Sequence, residues 1–258
     1  MKKTISTVVL FTTILSSILA QNGAMFEYKI TSSKGATGSM KSYHSSAGSR
    51  MEMQMNVPQM PGGGLSMTTI IKSDKPTTVY TLDEKTKTYT TTETKTAAST
   101  ATSNPDDYTV KIVGKEKIGN YNCTHAIVTK DNKSNEFWTT TEIVDFEKYS
   151  KNSGNHKFGG TSGEYAALVK NGAGGFMVKT LTKDAKGGDF TMELVKLEKK
   201  EQDASLFVIP ADYKASSSTG MPGMPTMDVN KIQSMTPEER AKYIEDMKKQ
   251  YQTPAGNK

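Results

Sequence analysis

Apolar residues return at every second position over most of this chain, and that period restricts its fold more than any other feature. A helix would need a return every three or four residues, whereas a strand sends successive side chains to opposite faces. "MFEYKI" (25–30) sets Phe26, Tyr28 and Ile30 against Glu27 and Lys29, and "RMEMQMNV" (50–57) sets Met51, Met53 and Met55 against Glu52, Gln54 and Asn56. Further strands are expected at 38–45, 65–72, 77–83, 87–93, 108–114, 121–129, 136–142, 174–182, 190–198 and 206–210. The connections at 82–88, 129–136 and 183–189 carry the polar residues and glycines that turns require. So many short strands predict a mainly β fold: a large curved antiparallel sheet, an incomplete barrel, with short covering helices and a C-terminal helix.

The places where the period fails divide the chain. Residues 1–20 have a charged start, an uncharged apolar run and Ala20 as a small residue for cleavage, the pattern of a secretory signal peptide. The run is diluted by Ser and Thr, so a stable transmembrane anchor is not expected, and the chain is read as exported, periplasmic or extracellular. Residues 21–213 form the β domain, 214–235 a Met/Pro/Ser-rich linker, and 236–258 a C-terminal helix and tail. That helix has its start signals: Thr236 as cap, Pro237 in the first turn and Glu239 completing a capping box. Ile143, Phe146 and Tyr149 suggest a second short helix over 142–152, and the small polar residues of 94–107 suggest a long loop.

The whole sequence carries a formal charge of +6, and removal of Lys2 and Lys3 with the signal peptide leaves +4. Charges of both signs are interspersed, without a basic run or a basic stretch threaded with aromatics, so nucleic acid is not an expected partner. A single cysteine, Cys123, cannot staple the fold internally. Nucleotide and hydrolase signatures fail on inspection: "GGTSGE" (159–164) lacks the second glycine of a nucleophile elbow, "GAGGFM" (172–177) has Met177 where a dinucleotide loop needs glycine, and "GKEKIGN" (114–120) lacks the lysine and hydroxyl of a phosphate loop. Acidic residues are scattered singly. The expectation is therefore a non-enzymatic protein without a cofactor.

Two groups of residues could carry a function. Met51, Met53 and Met55 make one apolar face of a strand, and methionine is a flexible side chain suited to variable apolar ligands. With Tyr121 and one of Phe137 or Trp138, they are the candidate wall of a binding site for an acyl chain or lipid. The same thioethers are soft ligands that favour Cu(I), so a copper-binding reading uses Met51, Met53 and Met55 with Cys123 and His125. Met60, Met67, Met221, Met224 and Met227 enlarge that thioether set. Cys123 and His125 are two apart on one strand, with backbone positions about 7 Å apart, long for a direct thiol–imidazole bond. His44 and His156 are expected to be exposed. A purely structural envelope protein is the third reading.

The order of motifs also carries a resemblance. "FEYKI", then "VYTLDEKTKTY", then "KIGNYNCTHAIVT" followed by "NEFWTTTEI", and finally "SLFVIPADY" resemble an uncharacterised family of secreted bacterial envelope proteins, a domain of unknown function, over residues 24–213. That family is similar in fold to the periplasmic lipoprotein carriers of the Lol type. The resemblance implies an incomplete barrel whose concave face is covered by helices and holds acyl chains, with a lipid or lipidated protein as partner.

Overall fold

In the computed structural model, the described residues are 23–58, 64–93, 104–131, 133–143, 162–183, 188–216, 235–236, 238–239 and 242. They form β1 (Ala24–Ser32), β2 (Thr37–Ser45), β3 (Gly48–Asn56), β4 (Gly64–Lys72), β5 (Lys75–Asp83), β6 (Thr88–Glu93), β7 (Thr109–Ile118), β8 (Tyr121–Lys130), β9 (Lys133–Thr140), helix α1 (Ser162–Lys170), β10 (Phe176–Thr182), β11 (Phe190–Glu198) and β12 (Lys214–Ala215). Every strand expected from alternation is present except that at 206–210. All twelve lie in one sheet, in the order β12-β6-β5-β4-β3-β2-β1-β11-β10-β9-β8-β7. Two antiparallel meanders, β1–β6 and β7–β11, are joined where β1 pairs with β11. The short β12 alone pairs in parallel, beside β6.

The sheet is open at both edges and strongly curved. Phe26 on β1 and Phe176 on β10 have ring centroids 5.1 Å apart although β11 lies between their strands. Two strand spacings in a flat sheet would be nearly twice that, about 9.5 Å. Pairing between β10 and β11 covers only Lys179–Thr182, and beyond it Tyr28 Oη donates to the Met177 carbonyl at 3.2 Å. The hydroxyl thus satisfies a main-chain acceptor where the neighbouring strand has diverged.

Among the described residues three apolar clusters hold the sheet. The largest includes Phe26, Tyr28, Ile30, Met40, Cys123, Trp138, Phe176, Val178 and Leu194. A second, formed by Ala126, Val128, Phe137, Met177, Leu168 and Ala173, seats α1 against the sheet. Two hydrogen bonds fix that end of the sheet, from Asn135 Nδ2 to Glu164 Oε1 at 2.7 Å and from Thr139 Oγ1 to the Ala173 carbonyl at 2.7 Å. The helix ends in a reversal in which Gly172, at φ 74°, lets the Ala173 amide reach back to the Leu168 carbonyl at 2.8 Å. In the third cluster Ile70, Tyr80 and Leu82 pack with Tyr89, Ile209 and Tyr213.

Residues 206–210 depart from the expectation. They continue from a 3-10 turn at Ala204–Phe207, capped by the Asp203 side chain, which accepts from the Ser205 amide at 2.8 Å. The reason is local: a strong cap precedes "LFVIP", its apolar residues run consecutively rather than alternately, and Pro210 cannot donate to a ladder. Phe207 is buried, and Arg50 Nη1 donates to the Leu206 carbonyl at 3.2 Å, so this segment straps one face of the sheet. Helix α1 was not foreshadowed by strong periodicity. The expected helix at 142–152 lies outside the described residues apart from Glu142 and Ile143, as do residues 1–22 and most of 94–107. At the start of the C-terminal segment, the Thr236 amide donates to Glu239 Oε2 at 2.9 Å and the Glu239 amide to Thr236 Oγ1 at 3.2 Å, the reciprocal pair of a capping box. The rest of that helix lies outside the described residues.

Candidate functional site

On β3 the alternation has its expected consequence. Met51, Met53 and Met55 are half-buried against the largest apolar cluster. Arg50, Glu52 and Gln54 occupy the other face, where Arg50 Nε donates to Glu52 Oε1 at 2.7 Å. Register places further apolar residues beside the methionines: Met53 is opposite Met40 on β2 and Met67 on β4, while Met55 is opposite Gly38 and Leu65. A Cβ at Gly38 would lie 2.5 Å from Met55 Sδ, so this thioether leans over the glycine towards β2. Tyr121, Leu181, Phe190, Met192 and Leu197 are also partly buried around the cluster. Helix α1 and the 204–213 strap pack on the other two clusters.

At the β7–β10 end the same cluster meets a charged group. Trp138, 6 % exposed, stacks on His125 with ring centroids 4.1 Å apart and planes 10° apart. Lys179 Nζ lies 4.7 Å from the indole centroid, and Trp138 Nε1 donates to Glu116 Oε2 at 2.7 Å. His125 Nε2 lies 3.0 Å from Glu136 Oε2, and Lys183 Nζ 3.1 Å from Glu136 Oε1. Burial would raise the Glu136 carboxyl, but hydrogen bonds from Lys183 and His125 outweigh it and hold the group below the usual carboxylate range. The indole is thus held by a histidine from β8 and a lysine from β10, its polar edge satisfied by a carboxylate from β7.

Cys123 and His125 share a strand face but each has its own partner. Cys123 is fully buried, its Sγ directed to the Tyr121 carbonyl at 3.7 Å, and burial pushes the thiol pKa up. A reactive thiolate needs the opposite shift. Among the described residues no cluster of three or more His, Cys, Asp or Glu is placed to hold a metal ion. The structure therefore gathers Met51, Met53, Met55, Tyr121 and Trp138 around one cluster, with Cys123 beneath. Phe137 instead belongs to the α1 cluster. His44 is buried, not exposed as expected: it continues the Met40–Ser42 alternation into the core, where its Nε2 lies 2.7 Å from Ser42 Oγ and its ring meets Phe26 edge-on. His156 lies outside the described residues.

Reading along the chain missed the row Met40–Met53–Met67 and the carboxylates Glu116 and Glu136. Both depend on which strands are neighbours and in what register, which alternation alone does not specify.

Residues 23–213 match the family described as Domain of unknown function (DUF4412), and the chain belongs to that family. No curated protein matches the sequence. Among solved structures the chain is similar to an uncharacterized conserved protein from Thermus thermophilus, at 9% identity and TM-score 0.44, covering 76% of this chain and 91% of that one. It is similar to MucB, solved in complex with MucA(peri), at 11% identity and TM-score 0.40, covering 74% and 56%; MucA/MucB are from Pseudomonas aeruginosa. A LolA superfamily protein from Nitrosomonas europaea is similar at 8% identity and TM-score 0.26, covering 73% and 91%. Similarity at this level specifies neither a ligand nor an activity. Among the described residues no helix is long and apolar enough to cross a membrane.

Proposed function

We propose that this is an exported, non-enzymatic binding protein whose curved sheet holds an elongated apolar molecule, an acyl chain or lipid, free or attached to a protein. The supporting observation is the distribution of burial around the largest cluster: Met51, Met53, Met55, Tyr121, Leu181, Phe190, Met192 and Leu197 surround it and are only partly buried. A rim of this kind gains by contact with another apolar surface at about 25 cal/mol per Å², so a few hundred Å² outweighs part of the ordering cost of binding. Methionine suits a wall that accepts chains of differing shape. Met51, Met53, Met55, Tyr121 and Trp138 are the wall in this reading. Residues 21–213 are the binding body, extended by Lys214–Ala215 of β12, and 236–258 are a separate C-terminal segment joined through the remainder of the 214–235 linker.

Native mass spectrometry with lipid extraction, on protein purified from its own envelope, tests the reading. Co-purifying lipid that disappears in Met53→Glu, with an unchanged circular dichroism spectrum, is expected. Protein that carries no lipid and binds no fluorescent fatty acid would overturn it.

A further inference from the structure

Alternation along β3 suggests the triad Met51, Met53 and Met55, but consecutive members of that set are about 7 Å apart along the strand. The register shows a tighter grouping. Met40, Met53 and Met67 lie directly opposite one another on β2, β3 and β4. Directly opposed side chains have Cβ atoms about 4.5–5.5 Å apart, within reach for thioethers that each turn on three bonds. Met55 joins them from the side, because its Sδ leans across to Gly38, which sits on the same face of β2 as Met40.

We propose that this row, Met40, Met53 and Met67 with Met55 beside it, is a binding site for a soft monovalent cation, Cu(I). Three or four neutral thioethers form a donor set that prefers Cu(I) to harder divalent ions. The flanking positions in register are uncharged: Ser42 and Thr69 opposite Met51, and Gly38 and Leu65 opposite Met55. Glu52, the nearest carboxylate in sequence, alternates to the other face and is paired with Arg50. On β5, Asp83 shares this face beyond Met67, two residues after the Thr81 that is opposite Thr69, and its Oδ1 accepts from the Lys85 and Thr86 amides. The row itself supplies only sulfur, and a single positive charge is the smallest ionic charge such an apolar face has to accommodate. The backbone ladder fixes the three strands, so the sulfurs converge by side-chain rotation alone.

The site is independent of the apolar-ligand reading and is tested on delipidated full-length protein, so its failure leaves that reading standing. The protein is titrated anaerobically with Cu(I) against a chromophoric Cu(I) chelator. One equivalent is expected to be withheld from the chelator. Met53→Leu, at the centre of the row, is expected to weaken uptake by about tenfold or more, at least the cost of losing an outer-sphere partner. Met40→Leu and Met67→Leu should follow it. Met25→Leu, on the opposite face of β1 from Phe26, should leave uptake unchanged; leucine keeps volume and apolarity, and thermal melts confirm the fold. Three results would each overturn the proposal: no uptake, uptake indifferent to Met53→Leu, or uptake abolished only when Met221, Met224 and Met227 are replaced.

Discussion

Gly38→Ala probes the packing on which both the wall and the thioether row depend. A Cβ at this position would lie 2.3 Å from the Gln54 carbonyl oxygen and 2.5 Å from Met55 Sδ. The sulfur ends a flexible side chain and can swing away. The carbonyl belongs to β3, whose register with β2 runs unbroken from Thr37 opposite Asn56 to Ser45 opposite Gly48, so it yields only if the ladder shifts. Overpacking of this kind costs about 1–3 kcal/mol. Alanine also narrows the unfolded ensemble, which offsets about 0.4–1 kcal/mol. A net loss of about 1–2 kcal/mol lowers Tm by about 2–8 °C for a domain of this size. Thermal and urea unfolding of Gly38→Ala, Met55→Ala and the double variant measure it. The residual cost in the double variant isolates the carbonyl contribution, and the coupling between the single variants isolates the sulfur. A Gly38→Ala protein as stable as the parent would refute the close approach of β3 to Gly38 and with it the placement of Met55.

Glu136→Gln should lower stability by about 1–2 kcal/mol near neutral pH, because it replaces a carboxylate bonded to charged donors. Since the folded carboxyl is held below its ordinary value, its contribution is present above the unfolded value and lost as pH falls through the folded one; the deficit of Glu136→Gln should therefore shrink in acid, and urea midpoints from pH 3 to 7 show whether it does. Cys123 should resist alkylation in the folded protein and react at once in denaturant, followed by mass; rapid native labelling would contradict its burial. Gly172→Ala should cost about 1 kcal/mol by forcing a side chain into the left-handed region at the end of α1, read as a lowered Tm, whereas unchanged stability would refute the observed helix ending.

Period two was legible because each strand of the sheet carries its apolar face in its own sequence. Thus Phe26, Tyr28 and Ile30 on β1, and Met51, Met53 and Met55 on β3, have the placement that counting alone predicts. Helix α1 was not legible because Tyr165 and Leu168 supply a narrow face and the helix is held largely by its contacts with β7, β8 and the 105–107 turn, together with the Asn135–Glu164 hydrogen bond and the ion pair of Lys170 with Asp106. The strap at 204–213 looked like a strand because its residues are apolar; their partners Ile70, Tyr80 and Leu82 are more than a hundred residues away. Site residues divide in the same way. Membership of a face follows from parity, but Phe137 and Trp138 are neighbours that parity can only separate, and the choice of Trp138 for the main cluster needed the third dimension.

Parity also explains why the unfinished packing falls where it does. On β4, Ile70 points to the face covered by the strap, while Leu65 and Met67 point to the other. Sealing both faces of so wide a sheet needs a second layer along its whole length. Among the described residues the covering elements are α1, over β7–β9, and the strap, over β4–β6, each bound to its own cluster. Both lie on the face opposite the methionines, and on that uncovered side Met51, Met53 and Met55 of β3 and Met67 of β4 remain half-buried. Rigid branched residues would suit one fixed cover, whereas four unbranched thioethers, Met51, Met53, Met55 and Met67, make a surface that can repack around more than one. An apolar chain and a soft cation make opposite use of that surface, the first of its methylenes and the second of its sulfurs. Met53→Leu separates them, because it removes the sulfur and keeps the apolar contact.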